Sequence, residues 1–373
     1  MQISNRDSVE DNEIISSEQT DTHNLDDKNE IRDGERQPLL PRRPDSSLRT
    51  SSSSRRCGLV SSALVTLALL GIILPLSLLS SRDSVPPVNT SVVRLLALSV
   101  WGSPASVGVK DKEERMEAIG EFIRSQSSSL DVVILQELWM RPDHARIESF
   151  LRDTELRMTA VGDLAPQACD GRVLPSFCSG LALITRLPVT ETSFQSFSAH
   201  GDFWWNDGEY FARKGIGRVR VAPAPNITLD IFLTSLAAND YNAFYRQSQA
   251  TELGEALRQY QGHADFVIAG GNLEVDPRSS ESSYHDASQG LRDSRQEALG
   301  SGWLDPDKAT YGNKRNSYSG KAGPLIYDYL LHKANGNYKM HVTSYDVPIL
   351  KLKNGKSYSN HEAILAEYSL ANL

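Results

Sequence analysis

The sequence has no surplus of basic residues. Its 39 lysines and arginines stand against 47 acidic residues, a net charge of −8, which argues against a nucleic-acid binder with the basic face such proteins carry. Residues 1–57 contain no Phe, Tyr or Trp and are dominated by Ser, Asp, Glu, Asn and Arg. Such a segment buries too little apolar surface to offset its ordering entropy and reads as a disordered tail. Residues 58–81, GLVSSALVTLALLGIILPLSLLSS, lack charge altogether over 24 positions. Roughly 20 apolar residues span a bilayer. The run is too long and begins too late for a cleaved signal peptide, and Pro75 is tolerated in a membrane helix. No internal repeat is present, which excludes a solenoid or propeller.

The charges flanking this run orient it. Arg42, Arg43, Arg49, Arg55 and Arg56 precede it, whereas only Arg82 and Arg94 follow closely, with Asp83 beside the first. The positive-inside rule places the N-terminus in the cytosol. The expectation is a type II membrane protein: cytosolic tail 1–57, transmembrane helix 58–81, stalk 82–91, and a lumenal or extracellular domain 92–373. Two sequons, Asn89-Thr90-Ser91 and Asn226-Ile227-Thr228, both follow the span and are candidate glycosylation sites. Cysteine is scarce, at three residues. Cys169 and Cys178 bracket the loop-like CDGRVLPSFC and either close a disulfide in an oxidising compartment or remain free thiols. Cys57 abuts the span, as a palmitoylation site or a plain membrane-edge cysteine. In the tail, ERQPLL places Glu35 ahead of Leu39 and Leu40. This resembles the acidic dileucine signal read by clathrin adaptors and implies an endosomal or lysosomal itinerary, with the plasma membrane as the alternative.

After the stalk, apolar runs alternate with helical periodicity. VVRLLALSVW, DVVILQEL, GLALITRL, IGRVRVAP, TLDIFLTSL and DFVIAG read as strands. KEERMEAIGEFIRSQ, with Met116, Ile119, Phe122 and Ile123 on one face, and YRQSQATELGEALRQY read as helices, as does ARIESFLRD. LIYDYLLHK and HEAILAEYSL close the chain. Long buried strands with intervening helices indicate an α/β domain with covered sheets. Polar residues recur where these runs end: Ser99, Glu137, Ser235, Asn272, Glu274, Asp328, Asn360 and His361. α/β enzymes build sites this way. An ionised Glu137 closing a buried strand needs a partner, either a divalent cation or an Arg or Lys. Phe203, Trp204 and Trp205 form an aromatic cluster that either faces a membrane or packs inside.

Several motifs occur in the order and spacing of a known family: LALSVWGSP, DVVILQELW, LTSLAANDY followed by YRQSQATEL, VIAGGNLEVDP, IYDYLLHK and YSNHEAILAEYSL. Over roughly residues 92–373 the chain resembles the neutral sphingomyelinase branch of the exonuclease–endonuclease–phosphatase superfamily. The resemblance implies a DNase I-like four-layer α/β sandwich, two packed mixed sheets flanked by helices. It also implies Mg²⁺-dependent hydrolysis of sphingomyelin to ceramide and phosphocholine. By the same resemblance, Ser99 and Glu137 occupy the metal positions, and Asp328 matches the Asp of the family's IDY segment at the substrate. Ser235, Asn272, Glu274, Asn360 and His361 occupy the catalytic ones. In DGEYFARKGIG, Lys214 is the candidate cation near substrate phosphate, with Asp207 or Glu209 as its acidic partner.

Much of the expected chemistry is altered. Ser99 stands for the family's Asn, Ser235 for the His of THL, Asn272 and Glu274 for the Asp and Asn of GD-x-N, and Asn360 for the Asp of SDH. A missing electrostatic donor at 235 is worth roughly two to three decades in rate. Loss of the carboxylate that orients a catalytic histidine costs about four in a serine-protease triad. The sequence therefore predicts a catalytically impaired domain that binds a phosphocholine-type headgroup or a partner. An active Mg²⁺ phosphodiesterase with a rearranged site is the alternative.

Overall fold

The structure is a computed structural model that describes residues 91–103, 109–159, 177–201, 209, 212–318 and 323–372, with Phe177 described by its backbone alone. The tail with Glu35, Leu39 and Leu40, Cys57, the 58–81 run, Asn89, Cys169, the 203–205 aromatics and Asp207 lie outside these residues. Among the described residues, no helix is long and apolar enough to cross a membrane.

The strands follow from two-residue periodicity with both faces apolar. In β1 (Ser91–Ser99), Leu95 and Ala97 pack in one buried cluster, while Leu96 and Leu98 pack in another. Alternate residues thus serve two separate cores. Among the described residues β1 belongs to a six-stranded sheet of order β11-β12-β1-β2-β4-β3. Its partners are β2 (Val132–Met140), β3 (Arg157–Thr159), β4 (Phe177–Thr185), β11 (Tyr338–Asp346) and β12 (Ile364–Asn372). A second six-stranded sheet has the order β5-β6-β7-β8-β10-β9. It comprises β5 (Val189–Ser196), β6 (Gly215–Ala224), β7 (Ile227–Ser235), β8 (Phe266–Asn272), β9 (Arg292–Asp293) and β10 (Asp328–Ala334). Both sheets are mixed: β1–β2 and β7–β8 run parallel, and their other pairings are antiparallel.

One core lies between the sheets and joins Leu95, Ile134 and Leu183 to Val219, Ile231, Ile268 and Leu330. A second covers the outer face of the β7–β8 sheet with α3 (Ala243–Gln259) and the short α4 (Ser283–Ala287). A third covers the outer face of the β1–β2 sheet with α1 (Lys112–Ser125) and α2 (Arg141–Ser149). The result is the expected helix–sheet–sheet–helix layering. Gly270 permits the sheets to approach here, since a Cβ on it would meet Ile134 Cδ1 at 2.6 Å.

Four strands were not foreseen, β3, β5, β9 and β11, and these are the edges of the two sheets. β5 and β11 have exposed polar residues along them. Edge strands carry such residues as protection against pairing with other chains, and these dilute the apolar signal. α2 begins earlier than ARIESFLRD, at Arg141, because Pro142 suits a helix's first turn. Asn226 is exposed in the β6–β7 turn with φ of 60°, the left-handed conformation that Asn tolerates. Cys178 is buried on β4 and disulfide-bonded, and its partner lies outside the described residues.

Candidate active site

Strand direction collects the polar ends. The parallel pairs β1–β2 and β7–β8 bring their C-terminal ends to one rim, whereas β10 and β12 run antiparallel to their neighbours and bring their N-terminal ends there. In register, Asn272 lies between Ser235 and Asp328, and Ser99 lies beside Gln136.

Glu137 reaches the rim through a β-bulge. Between the pairs Leu135–Ala182 and Leu138–Gly180, two residues of β2 face one of β4, which re-aims a side chain as bulges do. Glu137 itself sits at φ 58°. Its carbonyl accepts a 2.9 Å hydrogen bond from the Gly102 amide. A Cβ on Gly102 would lie 2.5 Å from that carbonyl, which explains the glycine of VWGSP. Replacing Gly102 with Ala is expected to cost about 1–3 kcal/mol of stability and to weaken any cation-dependent stabilisation, measured by thermal unfolding with and without Mg²⁺. Arg115, fully buried on α1, fixes the same segment by donating to the carbonyls of Val100 (2.7 Å), Trp101 (2.9 Å), Lys110 (2.9 Å) and Tyr358 (3.0 Å). Burial lowers its pKa to about 10, still charged at neutral pH.

Asn272 and Glu274 do not share an extended face. Glu274 has φ 52°, and its amide donates to Asn272 Oδ1 at 3.0 Å, so the chain turns on the Asn side chain. Asn272 Nδ2 then donates to Glu274 Oε1 at 2.7 Å and to Glu137 Oε1 at 3.3 Å. The amide links two carboxylates that would otherwise repel. Burial raises the Glu274 pKa, the Glu137 charge adds to the rise, and His361 opposes it.

The largest correction concerns His361. Its orienting carboxylate was expected to be missing because Asn360 replaces Asp. Asp328 supplies one: its Oδ2 lies 2.8 Å from His361 Nδ1. Asp328 was expected at the substrate, but β10 begins there and antiparallel pairing carries its side chain to the histidine. Backbone amides of Tyr327 and Asp328 both donate to Thr310 Oγ1, at 3.0 and 3.1 Å, which fixes the start of β10. Asn360 instead accepts from Ser359 Oγ at 3.1 Å. His361 Nε2 faces Glu274 Oε1 at 3.9 Å. Burial disfavours the imidazolium, but Asp328, Glu274 and Glu137 outweigh it and raise its pKa to about 9.

Glu137, Glu274 and His361 thus form one group, with ligand atoms within 4.8 Å of one another. Two carboxylates suit a hard divalent cation such as Mg²⁺, which typically takes one or two of them and leaves the remaining positions to water and phosphate oxygens. Ser99 Oγ, Ser235 Oγ and Asp328 Oδ1 are buried without a hydrogen-bond partner among the described residues. Lys214 is buried under the end of β7: its Nζ donates to Glu209 Oε1 (2.8 Å) and to the Leu236 carbonyl (2.6 Å). Its acidic partner here is therefore Glu209.

The sequence did not flag Tyr311 and Tyr327. Their rings stack with centroids 5.1 Å apart, and Tyr311 lies 4.9 Å from the His361 ring. Burial pushes the Tyr327 phenol up to about 12. Tyr327's place beside Asp328 in IYDY was the available signal; Tyr311 offered none. Asp276, part of GGNLEVDP, is structural, since it binds Arg278 and the amide of Ile326.

Layering and rim together define a DNase I-like α/β domain with a polar strand-end site. D. rerio TDP2, solved with a single-strand DNA product, matches 74% of this chain and 99% of its own with a TM-score of 0.57 at 15% identity, a likeness of fold. No family model matches. By sequence the chain is a relative of the neutral sphingomyelinases. It is 25% identical to Sphingomyelin phosphodiesterase 2 of Mus musculus over 291 residues, 74% of this chain and 64% of that one. It is also 25% identical to Inositol phosphosphingolipids phospholipase C of Schizosaccharomyces pombe over 195 residues, 50% of this chain and 42% of that one. The chain thus spans less than two thirds of the length of these relatives.

Proposed function

We propose that this domain binds the phosphate ester of a sphingolipid headgroup at the rim together with Mg²⁺, and that it hydrolyses the ester slowly. The observation that carries this reading is the convergence of Glu137, Glu274 and the Asp328–His361 pair. The two carboxylates would hold the cation, which when bound neutralises charge developing on phosphate. His361, held by Asp328 at 2.8 Å, would face the phosphate as the proton-transfer group. Slow turnover follows from Ser235 and Asn272, which offer neither an imidazole nor a carboxylate where the family resemblance expects them. Anchoring by residues 58–81 would tether the domain to a membrane on its lumenal or extracellular side.

The relatives' names divide the headgroup between sphingomyelin and inositol phosphosphingolipids. The acidic balance of residues 92–373, with 29 lysines and arginines against 34 acidic residues, favours the zwitterionic phosphocholine over the more anionic inositol phosphate. An intact Asp328–His361 pair favours a second reading, an active phosphodiesterase. Calorimetry of the full chain with phosphocholine, with and without Mg²⁺, tests the first: binding should need Mg²⁺ and be lost in Glu137→Gln. Absence of binding in either condition would overturn it. Phosphocholine release from sphingomyelin at ordinary enzyme rates, abolished by the same substitution, would establish the second.

A further inference from the structure

The described exposed large apolar side chains are scattered, except at the entrance to α3, where Tyr241 is 57% exposed and Phe244 75% exposed. They lie six and nine residues beyond Ser235 of the rim. The segment that carries them starts where β7 ends at Ser235, and the charges of Asp240 and Arg246 act on the Tyr327 phenol, whose ring neighbours His361.

The intervening segment is held rigidly. The Ala237 amide donates to Gln249 Oε1 at 2.8 Å, and the Ala238 amide to Glu209 Oε1 at 3.1 Å. Arg246 donates to the carbonyls of Ala237 (2.8 Å) and Asn239 (2.9 Å) while paired with Glu281. Asn242 Nδ2 donates to the Ala238 carbonyl at 2.8 Å. The Arg and Gln of YR-x-x-Q therefore fasten the aromatic outcrop to the site. A preorganised outcrop loses little further entropy when it docks.

We infer that Tyr241 and Phe244 form a membrane-docking outcrop that seats the rim on a zwitterionic lipid surface. Tyr favours the bilayer interface, where an apolar ring and a polar hydroxyl are both satisfied, and Phe adds apolar surface that the acyl boundary buries. The charge pattern selects the lipid class. Between Leu236 and Ser248 the charged residues are Asp240 and Arg246, and Arg246 is neutralised by Glu281. A segment without surplus positive charge gains nothing from anionic headgroups and suits choline lipids. This inference deepens the headgroup-binding reading and rests on it for the kind of surface engaged.

The test uses the full chain in nanodiscs of phosphatidylcholine and sphingomyelin, with Phe244→Trp compared with the parent protein. The emission added by the new tryptophan should be largely lost when the phosphatidylcholine carries acyl-chain bromine and should resist aqueous iodide. Quenching by iodide without quenching by bromolipid would overturn the inference, because the outcrop would then face water. Quenching by neither would also overturn it, by showing that protein covers the patch. Phosphocholine calorimetry on the same variant separates the two proposals. Headgroup binding without lipid quenching removes the outcrop alone, whereas lipid quenching without headgroup binding removes the headgroup reading and leaves the docking surface.

Discussion

Replacing Asp328 with Asn should lower any phosphodiesterase turnover by about four decades, the cost of the analogous change in a serine-protease triad, and should leave the fold intact. Asn360→Asp should change turnover little, because Asn360 contacts Ser359 rather than the histidine. The pair of substitutions thus separates the pattern read from SNH from the geometry of the rim. The His361 pKa should fall from about 9 once Asp328 is gone, since that carboxylate raises it most. Its sign also fixes a pH dependence. His361 titrates above its unfolded value of about 6.5, so its contribution to stability is complete below that pH and disappears as pH rises through about 9. The stability gap between the parent and Asp328→Asn should therefore narrow between pH 6.5 and 9. Imidazole resonances followed by NMR, with chemical unfolding across that range, check both. An unshifted His361 titration in Asp328→Asn would show that the 2.8 Å contact does not control the imidazole.

Restoring the absent groups should have the opposite effect. Ser235→His combined with Asn272→Asp and Glu274→Asn, which moves the second carboxylate from 274 to 272 and so keeps two at the rim with Glu137, should raise phosphocholine release by about two to three decades, the usual worth of one electrostatic donor in a reaction site. Gains beyond that need not add, because residues acting as a unit are non-additive. The three positions adjoin: Ser235 and Asp328 both pair with Asn272 in register, and Asn272 binds Glu274. A new imidazole at 235 and a carboxylate at 272 would thus enter the same rim. Release of phosphocholine from sphingomyelin, measured with Mg²⁺, is the readout. No increase from a folded triple variant would show that impairment lies elsewhere, in how substrate reaches the rim rather than in the groups lining it.

The layers were legible because burial on both faces writes a local signal. Leu95 with Ala97 and Leu96 with Leu98 fill different cores, so β1 reads as one apolar run. The edge strands β5 and β11 were not legible, because solvent exposure gives polar side chains a place there. The polar strand ends were visible one by one, as was Lys214 with an acidic residue ahead of it. The bulge that aims Glu137, the left-handed turn at Glu274 and the buried Arg115 behind Trp101 were hidden. Each depends on backbone conformation or on a contact with a remote segment. Tyr311 meets His361 through an isolated bridge between distant stretches, which no local pattern encodes.

The sequence by itself determined an acidic chain, an α/β domain with covered sheets and a set of polar residues closing its strands. Charge, periodicity and strand length act over a few neighbouring residues, so a linear reading captures them. Only the tertiary structure decided which carboxylate holds His361. Asp328 and His361 are 33 positions apart, and they meet because β10 and β12 run antiparallel to their neighbours and start at the rim where β7 and β8 end. Strand order and direction assign that partnership, because a hydrogen bond depends on distance in space and not on separation along the chain.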